Sequence, residues 1–221
     1  MKRDDQIPST CRERGFSLLE MMIVLLILSI VLAVIMRDAI QLMQVNMNET
    51  NKVDLVQESR QFIDQISNDI HQAGYPGTRM FDPAGSPAQS SYAAGLISVT
   101  TNTIQFEGDV DGSGQVSEVY IQLVIPKAGC PCTLQRGAVS KTLSLSGATP
   151  AYYTEVEGVM NTNVFTAYFY DGNSVTLPAI STDLPNIKIV KITLDLRSRY
   201  PDLRTQIFPE ITMVSSAKIN N

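Results

Sequence analysis

The stretch Phe16–Met36, FSLLEMMIVLLILSIVLAVIM, constrains this chain more than any other part of it. Between Met21 and Met36 there is no charge, no Gly and no Pro. Drawn as a helix from Phe16, the run reaches about 32 Å, enough to cross the hydrocarbon of a bilayer. It is the only run of this kind in the sequence. A single carboxylate, Glu20, stands at its edge. An ionised acid in hydrocarbon is costly and calls for a cationic partner or a special place. No Lys or Arg follows within the span before Arg37. A cut between Gly15 and Phe16 would create an α-amino group four residues before Glu20, able to balance that carboxylate on a neighbouring copy.

A secretory signal peptide is the plainer reading: a basic start, an apolar stretch, and cleavage near Ala33 or Ala39. The run is long for that purpose, and the sequence after it is helical in pattern rather than loop-like. A lipoprotein signal does not fit, because Cys11 precedes the run instead of following it. At 221 residues the chain has room for one ordinary domain and an appendage. Its 17 Lys and Arg against 22 Asp and Glu give a net charge of −5, which argues against broad, non-specific binding to nucleic acid or anionic lipid.

The segment RGFSLLEMMIVLLILSIV resembles the N-terminal segment of type IV pilins and type II secretion pseudopilins. The resemblance implies that a prepilin peptidase cuts between Gly15 and Phe16, that Phe16 is then N-methylated, and that Glu20 serves filament assembly. It also implies a single-pass protein of the bacterial inner membrane with a periplasmic head, later part of a pilus or pseudopilus filament. The other pilins, met through the N-terminal helix, would be its partners. Lys2, Arg3, Arg12 and Arg14 fit a leader kept in the cytoplasm, with Asp4, Asp5 and Glu13 as a mild departure. ISNDIHQAGYPG, GDVDGSGQVSEVYIQL and TLQRG are similar to stretches of PilW-type minor pilins.

Beyond the membrane the helical pattern continues. Leu55, Val56, Ser59, Phe62, Ile63, Ile66 and Ile70 recur at three- and four-residue steps, with Asp54, Glu58, Arg60, Asp64 and Asn68 on other faces. Gly74 suits the position past a helix end and Pro76 blocks continuation. One helix from Phe16 to Ala73 would be about 87 Å long. The alternative is a break around Gln44–Asn51, where Asn46, Asn48 and Asn51 lower helix propensity.

Strand patterns follow a Pro-, Gly- and Ser-rich connection. TIQFEGDV and SEVYIQLVI read as a hairpin, with Val119, Ile121, Leu123 and Ile125 on one face and Glu118, Tyr120 and Gln122 opposite. VFTAYFYDGNSVTL reads as a strand pair around Asp171–Asn173. NIKIVKITLDLRSR is a long strand whose alternation slips at Ile189–Val190, as a bulge would cause. EITMVSSAKI is the last strand. No helices intervene, so the sheet should be mostly antiparallel. The expected fold is α+β: a long N-terminal helix packed on a β-sheet head. Its parts are a leader (1–15), a membrane or filament-core helix (16–37), the periplasmic half of the helix (38–74) and the head (75–221).

Two groups of residues invite chemistry. Asp109, Asp111 and Ser113, ahead of Gly114, begin like a calcium loop. The twelfth position is Tyr120 and the nearest acid is Glu118, so only half a site is present, and an ordinary hairpin turn is the leading reading. Cys130 and Cys132 form the mature chain's only pair. A local disulfide leads, ahead of free thiols and of metal or intermolecular bonds. Enzymatic function is not expected: the one histidine, His71, suits the end of a helix, and no HExxH, GxSxG or P-loop is present. Lys188, Lys191, Arg197, Arg199 and Arg204 make a locally basic stretch, with a solvated strand face as its default role and DNA or an acidic neighbour as the minority one.

The function these readings favour is a minor pilin, a structural subunit of type IV pilus assembly. A type II secretion pseudopilin is the nearest alternative. A tip adhesin or DNA-uptake receptor, and an anchored periplasmic enzyme, come from other classes.

Overall fold

The computed structural model describes residues 17–80, 88–202 and 205–219. The chain divides into two units, Met1–Met47 and Asn48–Asn221. Helix α1, Leu18–His71, is helical throughout its 54 residues, including Asn46, Asn48 and Asn51, so the alternative of a break does not occur. In the first unit its apolar side chains have no cover: between Leu18 and Met36 the large ones range from 48% exposed at Val31 to 81% at Leu18. Ser29 donates its hydroxyl to the Leu26 carbonyl at 2.8 Å, an i−3 back-bond common for serine within a helix.

In the second unit α1 buries one stripe, Ser59, Phe62, Ile63, Ile66, Asp69 and Ile70, and exposes Asp54, Glu58, Arg60, Asp64 and Asn68, as the periodicity anticipates. The helix stops at His71, and Gly74 takes a positive φ of 86°. That left-handed turn is open to glycine at little cost.

The stripe packs on an eight-stranded antiparallel sheet. Its strands are β1 (Leu96–Val99), β2 (Thr103–Gly108), β3 (Ser117–Val124), β4 (Cys132–Ser140), β5 (Ala151–Val159), β6 (Phe165–Phe169), β7 (Ile187–Arg197) and β8 (Glu210–Lys218). A one-turn helix, α2 (Lys141–Ser144), separates β4 from β5. The order runs β1-β2-β3-β4-β5-β7-β6, with β8 also on β7. β8 covers one edge of β7 from Ile189 to Arg197. β6 and the last residue of β5 therefore share the other edge. Phe106, Val119, Ile121, Leu134, Val190, Ile192 and Leu194 meet Phe62, Ile66 and Ile70 in one core.

Three expectations need correction. Ile125 is 44% exposed, because β3 ends at Val124 and Pro126 turns the chain away. Glu118 lies on the face opposite Val119, as the alternation anticipates; it is buried there because α2 covers that face of the sheet and Ser144 donates to it. The pair around Asp171–Asn173 is one strand and a turn. β6 is followed by a single bridge, Tyr168↔Ser174, and Pro178, without an N–H, cannot extend a ladder. The irregularity in β7 lies at Lys188, where Phe169 pairs with Ile187 and Tyr168 with Ile189. It starts one residue before the slip in the pattern.

Candidate functional site

The N-terminal segment is the first candidate. Gly15 and Phe16, the expected cleavage and methylation positions, lie outside the described residues. Ser17 stands at the helix start, where its carbonyl accepts from the N–H groups of Glu20 at 3.0 Å and Met21 at 3.1 Å. Glu20 is then the third helical residue, and Ser-Leu-Leu-Glu is the sequence of a capping box. An acid in the first turn also complements the positive end of the helix dipole. That pattern was present in the sequence but went unread, and it gives Glu20 a local reading at the helix start beside the expected one. Glu20 is exposed, and among the described residues none of the ion pairs involves it. Among those residues, α1 is the one helix long and apolar enough to cross a membrane.

The second candidate is the β2–β3 turn, which brings Asp109, Asp111 and Ser113 together. Asp109 Oδ2 accepts from the Gly114 N–H at 2.9 Å, Asp111 Oδ1 from Ser113 N–H at 3.1 Å, and Ser113 Oγ from Gln115 N–H at 3.3 Å. The hydroxyl and backbone N–H of Ser113 hold the Asp111 carboxyl below its ordinary range. Among the described residues no group of three or more His, Cys, Asp and Glu side chains is placed to hold a metal. The turn has two carboxylates and a hydroxyl.

Cys130 and Cys132 are joined by a disulfide, and Cys132, wholly buried, opens β4. It borders a groove of about 600 Å³ in the second unit, with Asp54 and Glu58 of α1 on one side and Arg197, Arg199, Tyr200 and Phe208 on the other. Two arginines of the basic stretch are answered by acids. Arg197 lies 3.9 Å from Glu210 and over the Phe208 ring, and Arg199 pairs with Glu157. Arg204 lies outside the described residues. His71, through Nδ1, meets the Lys218 carbonyl at 2.8 Å.

Sequence reasoning missed the buried ion pairs. Asp69 of α1 meets Arg136 of β4 at 2.7 Å, and Glu107 of β2 meets Lys141 of α2 at 2.6 Å. Lys141 also donates to the Tyr92 carbonyl at 2.8 Å. Asp69 sits among the apolar stripe, where an acid next to Ile70 and three residues after Ile66 was the available signal.

A family model described as the prokaryotic N-terminal methylation motif matches residues 10–36. The match covers the anchor segment and supports a type IV pilin-like family. No curated protein and no solved structure matches the chain.

Proposed function

We propose that this chain is a minor pilin: a structural subunit that waits in the inner membrane by its apolar helix and is drawn from there into a type IV pilus. One observation carries the reading. The methylation motif coincides with a helix whose large apolar side chains, Leu18–Met36, are 48–81% exposed among the described residues. Such a surface needs either lipid or the equally apolar helices of neighbouring subunits. Exchange between the two costs little, because lipid tails are as apolar as Leu and Ile side chains. Glu20 would answer the α-amino group of a neighbour's Phe16. The head, held on α1 by the buried stripe, supplies the contacts that give this subunit its place. The motif's family is structural rather than enzymatic.

Fractionation tests the reading. The chain is expected in sheared surface filaments of cells with an active prepilin peptidase, and only in the membrane, at precursor mass, in cells without it. Recovery as a soluble periplasmic protein, never with filaments, would contradict it.

A further inference from the structure

Three buried polar atoms of the described residues have no hydrogen-bond partner, and two of them, Gln72 Oε1 and Asp109 Oδ1, flank one junction. There the end of α1 meets the end of β2. Ala73 bridges Gly108, Gly74 N–H donates to the Glu107 carbonyl at 2.9 Å, and Asp109 N–H donates to the Tyr75 carbonyl at 2.9 Å. Any Cβ on Gly108 would come within 2.6 Å of the Gln72 carbonyl oxygen, so the approach requires glycine. The β2–β3 turn is thus pinned to a helix C-terminus, the negative end of the dipole.

Into this negative corner the sequence places two carboxylates. Asp109 is 7% exposed. Its Oδ2 accepts from Gly114 inside the turn, so the carboxylate lies within the curve, while Oδ1 is sealed from water with no donor. A buried carboxylate oxygen without a donor is costly. Among the described residues, none of the ion pairs takes in Asp109 or Asp111. Both orphaned atoms are oxygens, which a cation would satisfy and another acceptor would not.

We propose that this turn binds calcium through Asp109, Asp111 and Ser113, and that the ion clips the β2–β3 turn to the C-terminal end of α1. Every donor is a hard oxygen. Two carboxylates and a hydroxyl leave several coordination positions for backbone carbonyls and water. Calcium tolerates such irregular, oxygen-rich shells, whereas magnesium demands a near-ideal octahedron at shorter distances. With only two charged ligands the site is weak, in the range of about 10⁻⁴–10⁻³ M seen for extracellular modules. A buried water would satisfy Asp109 Oδ1 but would leave the repulsion between the carboxylates in place. The clip rests on the head alone and stands whether or not the chain enters a pilus.

The test uses the full chain in detergent, stripped of metal with a chelator. Calcium titration followed by calorimetry, and thermal melting with calcium, magnesium or chelator, are run on the natural chain and on Asp111→Asn and Asp109→Asn. Saturable binding is expected at sub-millimolar to millimolar calcium. The melting temperature should rise by several degrees with calcium and much less with magnesium, following mass action. Asp111 is exposed, so Asp111→Asn should melt like the natural chain without metal and lose the calcium response. No response to calcium, an equal response to magnesium, or a response kept in Asp111→Asn would overturn the proposal.

Discussion

Glu107 and Glu118 face each other across β2 and β3. Like charges directly opposite in a sheet repel, and here both are buried. Lys141, 4% exposed, makes the arrangement tolerable by pairing with Glu107 at 2.6 Å. Removing one partner of a buried pair leaves an uncompensated charge, so Lys141→Met should lose about 3–5 kcal/mol. Urea unfolding of the natural chain and the variant would measure it. Lys141→Met/Glu107→Gln should recover part of the loss, and a single variant as stable as the natural chain would remove the pair's importance. Glu118 gives a pH signature. Burial pushes its pKa up, but hydrogen bonds from Ser144, Tyr120 and Gln105, with the Lys141 charge, outweigh it and leave the pKa below the ordinary 4.5. Its contribution is therefore whole above that value and falls away as pH drops through the folded-state pKa. Asp69 acts in the other sense: burial outweighs Arg136 and raises its pKa, which favours the folded state at acid pH. Glu118→Gln should flatten the acid side of the stability curve, read from unfolding midpoints at falling pH. An unchanged slope would assign the acid sensitivity to other carboxylates. The Glu107–Lys141 pair was not legible in the sequence, whereas the place of Asp69 within the apolar stripe was a signal that went unread. Glu118 alternates correctly for a solvent-facing strand residue, and only the fold reveals that α2 lies over it.

At the scale of elements, α1 was the most legible part. Its apolar run, its stripe from Leu55 to Ile70 and its stop at Gly74 follow from local composition and period, which no tertiary contact overrides. β2, β3, β7 and β8 were legible from alternation. β4 and β5 were not read as strands. Cys132–Ser140 contains Gly137 and Arg136, and Ala151–Tyr153 is exposed, so neither carries a clean two-residue period. Their strand character comes from the ladders that flank them. The joint between helix and sheet is where an element-scale prediction bites. Gly108→Ala would push a methyl group to 2.6 Å from the Gln72 carbonyl oxygen. Backbone cannot yield as a side chain can, so a loss of roughly 1–3 kcal/mol is expected from overpacking. Thermal melting checks it, and amide exchange at Gly74 and Asp109 should quicken, since their N–H bonds span the joint. Melting and exchange identical to the natural chain would mean that the joint opens without cost.

For the molecule as a whole, the sequence separates a segment that cannot be satisfied alone from a head that can. The head buries its stripe and sheet in one core. Among the described residues, the segment Leu18–Met36 exposes its large apolar side chains. Glu20 stands where the two explanations for an acid meet, a helix-start cap and a partner for a neighbour's terminal amine. Variants separate them. If the charge serves assembly, Glu20→Ala should still be processed but enter filaments several-fold less, Glu20→Gln should fall between, and Ser17→Ala, which removes only the hydroxyl of the capping-box pattern, should assemble normally. Blots of sheared filaments against membranes give the comparison. Equal defects in Ser17→Ala and Glu20→Ala would assign Glu20 to the helix start alone. The central claim is that the run beginning at Phe16 is a pilin-type segment, and it is tested most directly by the mass of the mature N-terminal peptide. The expected peptide begins at Phe16 and carries one added methyl group on its α-amino nitrogen. A peptide beginning at Met1, or one beginning beyond Ala33, would contradict the account.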